Sequence, residues 1–295
     1  MTVRNMPAAT LENETLKVEY LTASALRITG LYHAVSPKNI LALMPDIVLP
    51  FGEKGYPLIG GHRLWASPEE PGWSYGDESG VPLEIEERHN HVRLIQLHPE
   101  AAGLRREMTL TLDELLPHLT IKHCLTNDGD FPVFAAPWAL TILPPGGLVL
   151  LPFPRSENDS NLLPDRNLVF WPYTTPENLN MVYLPNAILL PTSGRKEPAK
   201  LGTLLKAGWC GYFNDGLFFK KRIQKPQPFN NYPDFGSSCE VYLAPDFFEL
   251  ETLGALAEIP PGESAVHTET WELVSDLAAD PDLAPFESIL QQHSA

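Results

Sequence analysis

Apolar and polar residues alternate with a period of two along much of the chain, the spacing of a strand with one buried face. Runs of this kind start at Leu26-Arg27-Ile28-Thr29 and continue to His33, and recur at Leu83–Glu86 and Val92–Leu97. Leu119, Ile121, His123 and Leu125 fall on one side of a further run, with Thr120, Lys122 and Cys124 on the other. Gly216–Arg222, Cys239–Leu243, Phe247–Leu253 and Ser264–Leu273 complete the set. Turn-forming clusters separate most of them: Pro37-Lys38-Asn39, Asn127-Asp128-Gly129-Asp130, Pro144-Pro145-Gly146-Gly147 and Pro260-Pro261-Gly262. Helical spacing is confined to Pro285–His293, inside a stretch (278–295) expected to be a tail or short terminal helix. With no internal repeat and no linker-like break, the pattern predicts one all-β domain over residues 1–295, a sandwich or barrel of many short strands.

Composition sharpens this. The chain has 30 prolines among 295 residues, about twice ordinary usage, which favours short strands over long helices. Its net charge of −16 repels phosphate backbones and anionic lipid, so neither nucleic acid nor membrane is an expected partner. No run approaches the roughly 18 apolar residues of a membrane span, and the first residues carry no apolar signal core. A soluble cytoplasmic protein is the expectation. Cys124, Cys210 and Cys239 are far apart and odd in number, which fits small core residues rather than a disulfide or zinc framework.

Three segments concentrate chemistry. Gly60-Gly61-His62-Arg63-Leu64-Trp65-Ala66-Ser67-Pro68-Glu69 brings together a proton-transfer group, a guanidinium, a flat aromatic face and a carboxylate after two turn-permitting glycines. Such a set suits a saccharide; a Gly turn with Arg63 paired to Glu69 and Trp65 in the core is the structural alternative. Phe218-Phe219-Lys220-Lys221-Arg222, followed by Asn231-Tyr232-Pro233-Asp234, supplies a basic triplet for an acidic sugar or phosphate, or neutralises Asp234, Glu240 and Glu249. Glu240, Glu249 and Glu251 form a carboxylate cluster among apolar neighbours, where burial would raise a pKa into a range useful for proton transfer. Trp138, Asp165-Arg166 and Trp171-Pro172-Tyr173 are further candidates to line a groove. His89 and His91 form the one close histidine pair, in a polar turn. No Walker loop, dinucleotide glycine fingerprint, GxSxG elbow or HExxH is present, and no metal or cofactor is expected.

The C-terminal part, from Cys239-Glu240-Val241-Tyr242 through Pro260-Pro261-Gly262-Glu263 to His267-Thr268-Glu269-Thr270-Trp271, resembles the end of galactose mutarotase-like proteins (aldose 1-epimerases). There a strand bearing the catalytic glutamate precedes a PGE turn and a final strand. GGHRLWASPE, the APW segment, YPDFGSSCEVY and ELETLG together resemble an uncharacterised bacterial branch of the superfamily over most of the chain. The resemblance implies a β-supersandwich of two large, mainly antiparallel curved sheets and a small-molecule sugar as ligand. It implies Glu240 as base at the anomeric hydroxyl and His62 as acid at the ring oxygen. Arg63, Arg222 and Asp234 would hold hydroxyls or an acidic substituent, Trp65 and Trp138 would stack on the ring, and Glu69, Tyr232, Glu249 and Glu251 would complete the site. Trp138 stands near where the family carries a second histidine. A non-catalytic carbohydrate-binding protein of the same fold is the alternative, and a polysaccharide lyase relative using Tyr232 with Arg222 is a third.

Overall fold

The structure, a computed structural model, describes residues 6–51, 55–76, 78, 81–97, 103–154, 164–224 and 231–275. Pro285–His293, the expected terminal helix, and the 278–295 tail lie outside these residues.

Two ten-stranded sheets, antiparallel at every pairing, carry most of the described residues. The first runs, in spatial order, Ala8–Glu12, Leu16–Leu21, Ile28–His33, His62–Ser67, Val133–Leu143, Phe248–Leu253, Cys239–Leu243, Ala199–Thr203 and Val169–Phe170, with Ala257–Ile259 paired to the lower part of Val133–Leu143. The second runs Val182–Leu184, Ala187–Pro191, Leu148–Pro152, Trp209–Asn214, Leu217–Ile223, Ser264–Val274, His118–Asn127, Leu104–Leu112, His91–Leu97 and Leu83–Arg88. This is the two-sheet all-β sandwich the alternation predicts.

One continuous apolar core fills the space between the sheets. Leu64, Val241 and Leu250 enter it from the first, and Met108, Ile121, Phe219 and Trp271 from the second. Because successive strand residues point to opposite faces, the core-facing set also fixes what points outward. Outward from the first sheet go Arg63, Trp65, Trp138, Leu140, Glu249 and Glu251, several of them buried again in a second apolar cluster.

That second cluster exists because a two-stranded ribbon, Leu43–Leu49 with Tyr56–Gly60, folds over the outer face. Gly60 and Gly61 make the crossing possible. Their φ values are +94° and +71°, and a Cβ would stand 2.3 Å from Ala42 O and 2.1 Å from Ile28 O respectively. The segment expected as a glycine turn with a cluster of functional groups is a turn followed by a strand, His62–Ser67, with every residue buried.

Candidate functional site

A cavity of about 370 Å³ opens on the outer face of the first sheet. Trp65, Trp138, Trp171 and Tyr173 contribute aromatic walls, Leu49, Phe51 and Leu58 come from the ribbon, and Arg63, Glu69, Lys200 and Glu249 are the charged groups. Strand register explains the floor. Arg63 is opposite Leu140, Leu140 opposite Glu251, and Glu251 opposite Glu240, so one row across four strands carries three charges to one face. The next row places Tyr242 opposite both Glu249 and Lys200.

The charges interlock. Lys200 Nζ lies 2.7 Å from Glu240 Oε2 and 3.0 Å from Glu251 Oε2, the first contact an ion pair rather than an aligned hydrogen bond. Trp138 Nε1 donates to Glu251 Oε2 at 2.7 Å. Arg63 Nη2 donates to Glu249 Oε1 at 2.9 Å while its guanidinium lies over the Trp65 ring. Tyr75, stacked on Phe51, donates to Glu69. Glu240 and Glu251 are wholly buried beneath Lys200. Burial pushes the Glu240 carboxyl well above the usual carboxylate range; Lys200 opposes the shift, and Glu251 and Asp234 add to it. Glu251 moves the same way for the same leading reason. Burial disfavours the charged form of Lys200, but Glu240 and Glu251 outweigh it and hold the ammonium well above its usual range. Glu240 Oε1, Glu251 Oε1 and Arg63 Nη1 are buried and have no hydrogen-bond partner among the described residues.

Of the expected site residues, Arg63, Trp65, Glu69, Trp138 and Glu249 line this cavity, and Glu240 and Glu251 sit under it. Asp234 is half-buried in a turn, Pro233–Gly236, with its charge felt at Glu240; Tyr232, also half-buried, precedes that turn. Neither is among the described residues that line the cavity.

Two expectations are corrected. His62 does not share the cleft with Glu240. It faces the other way, into the space between the sheets, because it alternates with Arg63 on the same strand and shares a face with Leu64. There its Nε2 meets His123 Nε2 at 2.8 Å and its Nδ1 meets Thr141 Oγ1 at 2.9 Å. Arg222 belongs to the outer face of the second sheet, across the sandwich from the cleft, where its Nε donates to Glu272 Oε1 at 2.7 Å. The basic triplet is thereby dispersed: Lys221 points into the interior, and Lys220 and Arg222 point out towards Glu272.

The interior group around His62 is a closed network that sequence reasoning did not assemble. Lys221 pairs with Glu269 at 2.8 Å and donates to Thr141 Oγ1 and Leu250 O, each at 3.0 Å. His123 Nδ1 lies 3.3 Å from the His267 carbonyl, which only accepts, so Nδ1 carries the proton and Nε2 accepts from His62. His62 Nδ1 then accepts from Thr141. Thr252 links His267 Nε2 to Glu269, and Trp271 Nε1 donates to the other Glu269 oxygen. Burial lowers the His62 pKa well below its usual value and takes His123 to about 4 and His267 to about 3, so all three rings are neutral. His62, His123 and Glu269 bring ligand atoms within 4.8 Å of one another. They do not fit a divalent cation, because the Lys221 ammonium already holds the cation position on Glu269 and would repel a second charge.

Lys200 is the principal cleft residue that sequence reasoning missed. Its signal was present: Ala199 and Leu201 alternate with Lys200 and Gly202, so a lysine on a short, half-apolar strand shares the Glu240 face. Gly202, opposite Glu240, leaves the room that Trp171 and Ser237 fill; a Cβ there would stand 3.2 Å from the Trp171 ring and 2.3 Å from Ser237 Oγ.

No protein-family model and no curated protein matches the chain. Solved structures do. A provisionally assigned aldose 1-epimerase from Escherichia coli K12 is similar over 92% of this chain and 100% of its own, with a TM-score of 0.59 at 14% identity. A galactose mutarotase-like protein from Lactobacillus casei is similar over 90% of this chain and 100% of its own, with a TM-score of 0.56 at 10% identity. A TPR-domain containing protein from Parabacteroides distasonis is similar over 92% of this chain but only 48% of its own, with a TM-score of 0.64 at 15% identity. At these identities the likeness is one of fold, and the fold is the galactose mutarotase-like β-sandwich.

Proposed function

We propose that the chain binds a monosaccharide or a sugar derivative in the cleft on the outer face of its first sheet, without the glutamate–histidine ring opening that the sequence resemblance implies. One observation carries this reading: a cavity of about 370 Å³, the size of a small-ligand site, combines tryptophan walls with charged hydrogen-bonding groups. Apolar ring faces suit the C–H side of a sugar, and Arg63, Glu69, Lys200 and Glu249 suit its hydroxyls. Catalysis by a Glu240–His62 pair has no support in this geometry, since a β-sheet lies between the two side chains and no histidine is among the described residues lining the cavity.

A second reading is favoured by one feature. Glu240 and Glu251 are two carboxyls held by one ammonium, each with a partnerless buried oxygen. Such a pair retains a proton where isolated carboxyls are ionised, so a sugar that displaced Lys200 from over them would meet one member able to protonate a ring oxygen and another able to take the anomeric proton. Proton NMR on freshly dissolved aldoses separates the readings. Ligand line broadening at an unchanged rate of anomer exchange supports binding alone. Faster exchange that is lost in Glu240→Gln makes the protein an epimerase using the paired carboxylates. No broadening and no exchange across the panel overturns both.

A further inference from the structure

The cleft's charge composition narrows the ligand further. Both cations facing the cavity are already engaged. Arg63 is paired with Glu249, and Lys200 is held between Glu240 and Glu251. Against these two cations stand four carboxyl groups, of which burial holds Glu240 and Glu251 towards the protonated form, and Glu69 at the cavity wall has only the Tyr75 hydroxyl as its hydrogen-bond partner among the described residues. An anionic sugar entering here would meet Glu69 and no uncommitted cation among those residues. The basic triplet that the sequence offered for an acidic group lies elsewhere in the sandwich, committed to Glu269 and Glu272.

The aromatic walls leave a place for a cation: Arg63 and Lys200 already cover Trp65, Trp138 and Trp171 at 4.2–4.8 Å, whereas Tyr75, which donates to Glu69, its stacking partner Phe51 and the wall residue Tyr173 carry no such cation among the described residues.

Resting on the reading of the cleft as a sugar site, we propose that its ligand is an amino sugar, a monosaccharide bearing a free ammonium group, which Glu69 and the surrounding aromatic faces receive. Uronic acids and sugar phosphates are disfavoured, because both cations at the cavity are already paired.

Isothermal titration with matched sets in both gluco and galacto series tests this: hexose, hexosamine, N-acetylhexosamine, uronate and hexose 6-phosphate. The expected result is a hexosamine bound about tenfold more tightly than its parent hexose, the yield of one partly screened charge contact. That ratio should collapse on N-acetylation, fall as pH rises through the ligand amine's own pKa, and shrink in Glu69→Gln. A change in the Glu69 variant that left the pH dependence of the ratio intact would show a merely structural effect and overturn the assignment. A hexose that binds while its hexosamine binds no better, or a uronate or phosphate that binds best, would sink the amino-sugar proposal and leave the sugar-site reading standing. Absence of binding across both series would overturn the two together.

Discussion

Glu240 and Glu251 face each other directly across two antiparallel strands, and the Lys200 ammonium sits between their carboxylates at 2.7 and 3.0 Å. Two like charges at a register pair are destabilising on an ordinary sheet face. Here a lysine two strands from Glu251, brought to the same face by its own alternation, compensates them. The mirror arrangement exists inside the sandwich, where Lys221 and Glu269 are wholly buried among three neutral histidines. The first sheet thus carries one charged network on its outer face and, through His62, Thr141 and Thr252, borders a second whose charges come from the facing sheet. The outer one borders a cavity large enough for a sugar.

The lysine bridge can be tested by removal. Lys200→Met keeps the length of the side chain and leaves two buried carboxylates without their cation. Breaking a buried pair in this way costs about 3–5 kcal/mol, a value that proton uptake by the carboxyls reduces. Urea denaturation should show the loss, and the triple change Lys200→Met, Glu240→Gln, Glu251→Gln should recover much of it. A single variant as stable as the parent would mean that the carboxyls are already neutral.

Trp138 carries two separable roles. Its ring lines the cleft and its Nε1 donates to Glu251. Trp138→Phe keeps an aromatic face and removes one of the two donors to Glu251 Oε2, leaving Lys200, so stability should drop by about 1.5–3 kcal/mol, the worth of a hydrogen bond to a charged group. Trp138→Ala removes the platform as well, and ligand affinity should fall at least tenfold further. Equal affinities of Phe and Ala variants, read by titration, would remove the ring from the binding surface.

The interior histidines set a pH dependence whose sign follows from their environment. Burial takes His123 to about 4 and His267 to about 3, whereas a histidine in an unfolded chain titrates near 6.5. Between those values the unfolded state binds more protons, so stability falls as pH drops from about 6.5 towards 4. Burial opposes the Glu269 carboxylate, but Lys221 and the three histidines hold its pKa below the usual range, which adds a loss at still lower pH. Glu240 and Glu251 act in the opposite sense: with their pKa values raised, their contribution is complete at low pH and declines as pH rises. Thermal unfolding between pH 7 and pH 4 should show decreasing Tm, with a shallower slope in His123→Asn. A flat or rising profile on acidification would assign dominance to the cleft carboxyls instead.

Much of the fold was legible because buried strands write their alternation into the sequence. Cys239–Leu243 is found where the pattern puts it, and Phe248–Leu253 and Ser264–Val274 differ from expectation by one residue. Strands buried on both faces were harder. Val133–Leu143 is almost continuously apolar, and His62–Ser67 is so dense in functional side chains that it reads as an active-site turn. The cleft was partly legible: Arg63, Trp65, Glu69, Trp138 and the three glutamates converge on one region. What the chain could not disclose was long-range partnership, between sheets for His62 and His123 and between strands of one sheet for Lys200 and Glu251. His62 lies 61 positions before His123, and Lys200 51 before Glu251. Period-two alternation says that His62 and Arg63 point oppositely, but only the packed sandwich says which of them faces inward.

That separation yields the most direct test of how the two networks divide their work. His62 is wholly buried, and its ring links Thr141 on one strand to His123 on the facing sheet. Replacement by alanine would leave a void and strand Thr141 and His123 without their partner, a loss of several kcal/mol. His62→Gln retains polar reach and should cost less, about 1–3 kcal/mol, since one amide can still serve one of the two partners. In neither variant does the outer face change, because the backbone of His62–Ser67 and the Arg63–Glu249 pair are held by other contacts. Denaturation midpoints should therefore fall while sugar affinity, measured below the unfolding transition, stays within twofold of the parent. A His62→Gln protein of parental stability that had lost sugar turnover would instead place the histidine in the reaction, and the assignment of the cleft to the opposite face would have to be abandoned.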